Sequence, residues 1–360
     1  MYVERKIKVF QIGCGKMSKY IMRYAYEKDC EIVGAVDISK DLIGKDISEV
    51  IDCENKNVKI NSIDHLEKLL IDLKPDIAIV TTMSFINDVK DILLTCAKCK
   101  VNAVTTCEEA FFAQNSNPNV FEKIDSMAKT TNCTITGCGY QDFAWGNLIT
   151  TMAGTTHNIT KIKGSSSYNV EDYGIALALA HGAGLTIDEF NKTIAINDEI
   201  TEEERNKIIE NQEFLPSYMW NAVGWIADKM SLNITSINQK CVPLVDEEEL
   251  VSNTLNMTIP KGNVTGMSAV VTAQTKEGII LEAECIGKVY NKNEFDKNEW
   301  TIFGEPDTTV VVNKPKTVEL TCADIVNRIP DVINSKAGFI PTSQMPQMKY
   351  RLNNLNEYVK

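Results

Sequence analysis

Ile7-Lys8-Val9-Phe10-Gln11-Ile12 is an apolar run that breaks into a glycine turn, Gly13-Cys14-Gly15-Lys16-Met17-Ser18. Lys19-Tyr20-Ile21-Met22-Arg23-Tyr24-Ala25-Tyr26 follows with apolar residues at helical spacing. A second apolar run, Glu31-Ile32-Val33-Gly34-Ala35-Val36-Asp37, ends on an acid. Strand, glycine turn, helix, strand and terminal carboxylate make the opening of a dinucleotide-binding unit. Gly13 lets the chain turn sharply, and Gly15, lacking a side chain, lets a pyrophosphate approach the N–H groups at the helix start. Ser18 fills the third position of the pattern and is small enough for close helix–strand packing. Asp37, about twenty residues on, is where a carboxylate accepts hydrogen bonds from an adenosine ribose. An acid there repels a 2′-phosphate and favours NAD, while neighbouring Ser39 and Lys40 leave room for NADP. Gly13, Cys14, Gly15, Lys16, Met17 and Asp37 are therefore the expected cofactor-binding residues at this end.

A chain of 360 residues is long enough for two cores. The net charge of −12 supplies no basic surface for nucleic acid, so no nucleic-acid partner is expected. No apolar stretch approaches the ~18 residues of a membrane span, so no membrane partner is expected either. Met1 to Ile7 runs straight into the first strand, which leaves no room for a signal peptide. The 11 cysteines are odd in number and scattered, several of them within apolar runs. They read as free thiols of a cytoplasmic protein. The single C-x-x-C, Cys96-Ala97-Lys98-Cys99, lacks a second pair, and His65, His157 and His181 have no ligand spacing. No metal is expected.

Strands at 58–60, 76–82, 101–106 and 133–139 alternate with helices at 62–73, 87–98 and 121–130. This pattern predicts an α/β fold, a doubly wound parallel (Rossmann) sheet over residues 1–140. Residues 141–320 read as an α+β domain for substrate and dimerisation, carrying an open, mostly antiparallel sheet. Its elements are a helical 142–154, a strand at 161–170, an acidic helix at 201–210, a tryptophan-bearing helix at 216–230, and a β-rich remainder. In that remainder Lys276-Glu277-Gly278 marks a hairpin. Residues 321–360 form a C-terminal helix and a tail that packs back on the first domain, with Thr321 and Asp324 spaced like a helix cap.

Ligands of a doubly wound sheet bind beyond the carboxyl ends of its strands. Three such ends carry chemistry. Thr81 and Thr82 lead a small polar and apolar mix suited to lining a cofactor. Cys107-Glu108-Glu109 follows the next strand. Adjacent carboxylates behind a buried strand are poorly solvated and repel each other, and both effects raise a pKa toward a useful general base. The alternative is that both glutamates simply begin a solvated loop. Cys107, with no histidine near it in sequence, is a small neighbour of the cofactor rather than a nucleophile. Tyr140 and Gln141 follow the last strand and are candidates for touching substrate. In the second domain Tyr168, Asn169, Asp172 and His181 are the corresponding candidates. Against them stand a core role for His181 and a solvated loop for Glu171 and Asp172.

Gly13-Cys14-Gly15-Lys16-Met17, Val33-Gly34-Ala35-Val36-Asp37, Ile43-Gly44-Lys45-Asp46 and Thr105-Thr106-Cys107-Glu108-Glu109 are similar to proteins with a dihydrodipicolinate-reductase-like N-terminal domain. Within that group the chain resembles the 2,4-diaminopentanoate dehydrogenases and related NAD(P)-dependent amine dehydrogenases. Ala180-His181-Gly182-Ala183-Gly184-Leu185, with Glu189-Phe190, resembles their C-terminal domain. The resemblance implies reversible oxidative deamination of a small-molecule amine, a sheet that forms a homodimer, and a catalytic glutamate after the fifth strand. That role falls on Glu108, with Glu109 as the alternative. A cyclic-imine reductase would use a His/Lys cluster in the second domain, where only the isolated His181 stands. A non-catalytic nucleotide sensor would need no carboxylate at all.

Overall fold

The computed structural model describes residues 5–195, 198 and 200–360. The expected run from Met1 into the first strand therefore lies partly outside the described residues. The chain divides into two units, 1–147 with 316–360, and 148–315.

The first unit begins with β1 (Lys8–Ile12), α1 (Lys16–Glu27), β2 (Glu31–Asp37), α2 (Ser48–Ile51), β3 (Ile60–Ser62) and α3 (Leu66–Leu73). It continues through β4 (Ile77–Val80), α4 (Ile86–Lys98), β5 (Asn102–Thr105), α5 (Pro118–Thr131) and β6 (Thr134–Gly137). Every pairing in its sheet is parallel, in the order 6-5-4-1-2-3, so the strand order reverses between β1 and β4. Alternation along β1 sends Val9 to one face and Phe10 and Ile12 to the other. Each face packs its own apolar layer. Ile21, Met22 and Ala25 of α1 cover Val9, while Leu66, Leu93 and Ile124 cover Phe10 and Ile12. Helix ends follow local chemistry. Asn117 accepts from Val120 N ahead of Pro118 at the start of α5, and Asn132 ends that helix at φ 59°.

The second unit holds α6 (Leu148–Ala153), β7 (Asn158–Asn169), α7 (Ile175–Ala180), α8 (Ile187–Thr193), α9 (Glu202–Glu210) and α10 (Tyr218–Met230). Then come β8 (Ile234–Val245), β9 (Leu250–Ser252), β10 (Met257–Ile259), β11 (Val264–Thr275), β12 (Ile280–Lys288), β13 (Lys297–Glu305) and β14 (Thr308–Asn313). Six of these strands form a sheet in the order 14-13-7-12-11-8. Only its β7–β12 pairing is parallel. The hairpin at Lys276-Glu277-Gly278 joins β11 to β12, with Gly278 at φ +83° supplying the turn.

The chain then returns to the first unit with α11 (Thr317–Ile333) and β15 (Gly338–Phe339), which pairs with β6 at the edge of the parallel sheet. Ile325, Ile329, Leu355 and Val359 join the α1 layer. One expectation needs correction. Thr321 and Asp324 do not cap this helix, because it begins at Thr317 and both side chains lie buried along its inner face. The helix expected at 142–154 is present, as a π-helical stretch at Asp142–Asn147, tied to α11, that runs directly into α6. The unit boundary falls after Asn147, within this helical stretch.

Candidate active site

Gly13 sits at φ +84°, and a Cβ there would lie 2.6 Å from the Thr81 carbonyl oxygen. Only glycine can make the turn off β1. Gly13 N donates to Val36 O at 2.9 Å. Its own carbonyl accepts from Gln11 Nε2 at 2.8 Å and Thr81 Oγ1 at 2.9 Å. Thr81 therefore braces the turn from behind, while Thr82 is exposed beside it. Gly15 begins α1 with nothing within 4 Å of where a Cβ would stand and no side chain capping the helix. Its carbonyl accepts from buried Ser18 Oγ at 2.7 Å, which explains the serine at the third position. Met17 packs against the α1 layer, and Lys16 is exposed. Cys14 is buried, and burial pushes its thiol up to about 12. At the carboxyl ends of β2 and β4, Ile38 is 80% exposed and Met83 54% exposed, apolar surface of the kind a flat base covers. A shaped glycine turn, an uncapped helix start and this apolar edge together fit a dinucleotide.

The two glutamates after β5 have different surroundings. Glu109 is buried, with Oε2 accepting from Ile86 N at 2.8 Å and Oε1 from Ser116 Oγ at 2.7 Å. It closes the start of α4. Glu108 stays half-buried, and burial raises its pKa although a hydrogen bond from Ser84 opposes the shift. Cys107 is fully buried, its thiol donating to Ser84 O at 3.1 Å, and Glu109 N donates to the same carbonyl at 3.1 Å. Ser84 is thus fixed from two directions beside Glu108. Tyr140 and Gln141 open the helical stretch after β6. Tyr140 N donates to Thr321 Oγ1 at 3.1 Å, and Gln141 Nε2 donates to Cys138 O at 3.3 Å.

In the second unit Tyr168 and His181 meet at 2.7 Å. His181 Nδ1 faces the Leu177 carbonyl at 2.8 Å, so it carries the proton, and Nε2 accepts from the Tyr168 hydroxyl. Burial lowers the His181 pKa and keeps it neutral. Asn169 Oδ1 accepts from Glu171 N at 3.2 Å. Asp172 is exposed, and its charge adds to the burial that raises the Asp296 pKa. Glu171 is committed to Ser252 Oγ and Thr254 N.

Among the described residues one group has the makings of a metal site, buried Cys138, Asp142 and Asp324, with ligand atoms within 4.8 Å of one another. Arg328 occupies the position a cation would take, its Nε 2.8 Å from Asp142 Oδ2. No described helix is long and apolar enough to cross a membrane.

A model of the dihydrodipicolinate reductase N-terminus matches residues 7–133. A model of the 2,4-diaminopentanoate dehydrogenase C-terminal domain matches residues 143–360. The chain belongs to the 2,4-diaminopentanoate dehydrogenase family. Over 348 residues it is 22% identical to a 2,4-diaminopentanoate dehydrogenase from Acetoanaerobium sticklandii, spanning 95% of this chain and 94% of that one. The solved structure of an amine dehydrogenase from Mycobacterium smegmatis is 30% identical, with a TM-score of 0.81 over 98% of this chain and 100% of that one. A probable dehydrogenase from Thermotoga maritima, 12% identical with a TM-score of 0.57 over 92% and 90% of the two chains, shares the fold.

In this member of the 2,4-diaminopentanoate dehydrogenase family, three contributors to the site carry no motif. Gln11 is a polar residue in an apolar strand, which is the one sequence signal it gives. Ser84 and Thr321 look like ordinary loop and helix residues until the fold brings them to Glu108 and Tyr140.

Proposed function

We propose that the chain is an NAD(P)-dependent amine dehydrogenase. It deaminates an amine or diamino acid of the 2,4-diaminopentanoate kind to the ketone with release of ammonia, and runs in reverse as reductive amination. Family membership supports the reaction class. The observation that carries the mechanism is the division of labour between the two glutamates: burial raises the pKa of both, but Glu109 is held by Ile86 N and Ser116 Oγ inside the fold, while Glu108, the less buried residue, is steadied by Ser84.

A bound dinucleotide would supply the hydride-accepting chemistry. Gly13, Gly15 and the start of α1 would hold its pyrophosphate, and Ile38 and Met83 would offer apolar surface to its base. Glu108 takes a proton from the substrate ammonium, or from the water that attacks the resulting iminium. In the reductive direction it returns that proton to the carbinolamine and imine. Ser84, by donating to Glu108, aims the carboxylate and tempers its basicity. Tyr140 and Gln141 are assigned to the amine substrate, and Tyr168, Asn169, Asp172 and His181 are the second unit's own candidates for a substrate contact. None of the 11 cysteines forms a disulfide, which supports a reducing, cytoplasmic setting. Resemblance to the family supports a homodimer.

A spectrophotometric panel of diamines and amino acids with NAD and NADP tests the reading. Ammonia-dependent oxidation of the reduced dinucleotide with a ketone is expected. Silence across the panel in both directions would remove the dehydrogenase.

A further inference from the structure

An acid at the end of the second strand selects NAD when its oxygens are free to face a ribose. In this chain both oxygens of Asp37 are engaged by backbone. Oδ2 accepts from Cys14 N at 2.6 Å, and Oδ1 accepts from Ser39 N at 2.7 Å. Asp37 ties the glycine turn to the end of β2, and its charge is shared with two N–H dipoles.

Beside that tie lies a cavity of about 400 Å³, lined by Lys16, Lys19 and Lys45 together with Cys14, Gly15 and Glu49. It is bounded by the glycine turn on one side and the segment following β2 on the other, and a dinucleotide-binding unit reads the ribose 2′ position from the end of its second strand. Three lysines around one cavity are unexpected in a chain of net charge −12. None of them forms an ion pair among the described residues, whereas Lys129, Lys161, Lys207, Lys288 and Lys297 all do. Glu49, the acid in the lining, already accepts from Asp46 N at 3.1 Å.

Lys45 is also held in place. Gly44 N donates to Ile60 O at 2.8 Å, and Ile60 N donates to the Lys45 carbonyl at 2.9 Å. The adjoining Asp46 carboxylate accepts from Ser48, Lys56 and Val58 N, at 2.9, 3.0 and 2.8 Å. The Ile43-Gly44-Lys45-Asp46 motif thereby becomes a rigid ledge whose backbone is ordered before any ligand arrives, so little entropy is lost on binding.

We propose that this cavity is a 2′-phosphate site in which Lys45, with Lys16 and Lys19, makes NADP the preferred dinucleotide. The proposal deepens the dehydrogenase reading and rests on it. A phosphate dianion would meet three unpaired ammonium groups there, and the Asp37 carboxylate, shielded by two N–H donors, would repel it little.

Calorimetric titration of the full chain with NADP+ and NAD+ tests this without reference to turnover. NADP+ is expected to bind at least about tenfold more tightly. Lys45→Ala should weaken NADP+ about tenfold while leaving NAD+ within about twofold. Lys45→Glu should reverse the order, and added salt should narrow the gap. Lys45 is exposed, so an unchanged thermal midpoint checks that the variants fold. NAD+ binding as tightly as NADP+, or Lys45→Ala weakening both equally, would overturn the phosphate site and leave the dehydrogenase standing. Failure of both dinucleotides to bind would remove both readings together.

Discussion

Arg328 and Asp142 form an ion pair withdrawn from solvent, with side chains 1% and 0% exposed. Arg328 Nε donates to Asp142 Oδ2 at 2.8 Å, and Nη2 lies 2.7 Å from the same oxygen. The other Asp142 oxygen accepts from Asn147 Nδ2 at 2.8 Å. Helix α11 is thereby bolted to the helical stretch that opens with Tyr140 and Gln141. Arg328→Met would leave a buried carboxylate without its cation and is expected to cost about 3–5 kcal/mol. Urea unfolding measures this. The double variant Arg328→Met, Asp142→Leu should recover much of the loss, and a double variant as unstable as the single would count against an electrostatic origin.

Asp324 shows the same cluster from its other side. Burial chiefly, and then the Asp142 charge, raise its pKa well above the carboxylate range, with Arg328 opposing. Its carboxyl accepts from the Cys138 thiol at 2.9 Å, and its environment favours the protonated form. A carboxyl pKa raised by folding stabilises the protein fully below its unfolded value, and the contribution is lost as pH rises through the folded one. Asp324→Asn should therefore flatten the decline in thermal midpoint as pH rises above the unfolded carboxyl range toward the raised folded value. The Cys138 thiol is also pushed up and titrates in the same sense, so the comparison belongs in a Cys138→Ser background. An unchanged slope would mean that Asp324 carries its charge inside the fold.

Much of this was legible in the chain and some was not, for physical reasons. Strand–helix alternation and the glycine turn are local patterns, and the parallel sheet follows from them. The roles of Thr321, Asp324 and Arg328 depend on a helix from the far end of the chain reaching the turn after β6, and no local pattern encodes that. Reading Thr321 and Asp324 as a cap took small polar residues for a helix start when their partners lay at Tyr140 and Cys138. Asp37 was visible as an acid in register, but its two backbone donors were not, because hydrogen bonds to a turn leave no trace in spacing. The glutamate pair was legible as adjacent acids after a buried strand, whereas the partners Ile86 and Ser116 that separate Glu109 from Glu108 were not.

The two glycines of the turn should respond differently to one methyl group. Gly13→Ala meets Thr81 O at 2.6 Å and an unfavourable positive φ, so it should lower the thermal midpoint by disrupting the β1–β4 edge. Gly15→Ala meets no protein atom and lies at φ −79°, so stability should hold. Its methyl would point where the pyrophosphate must pass, and dinucleotide affinity should fall at least about tenfold. Calorimetry and thermal melts on the pair separate these outcomes. Unimpaired binding by Gly15→Ala would take the pyrophosphate away from this helix start.

Glu108 and Glu109 allow the sharpest test, because the same substitution should produce opposite phenotypes. Glu109→Gln keeps an oxygen for Ile86 N but loses a charge-assisted bond, so it should cost about 1–3 kcal/mol in stability and leave kcat within severalfold. Glu108→Gln keeps shape and removes the base. It should lower kcat by about 10²–10⁴ while dinucleotide binding and thermal midpoint hold. The pH dependence fixes the sign. Oxidation needs the Glu108 carboxylate ionised, and burial has raised its pKa, so kcat/KM for deamination should climb as pH passes through that raised value. Reductive amination needs the acid form and should decline over the same interval. Glu108→Gln should erase this limb in both directions while Glu109→Gln retains it. If the limb survived in Glu108→Gln, the titrating base would lie elsewhere, and Glu108 would be only a polar wall.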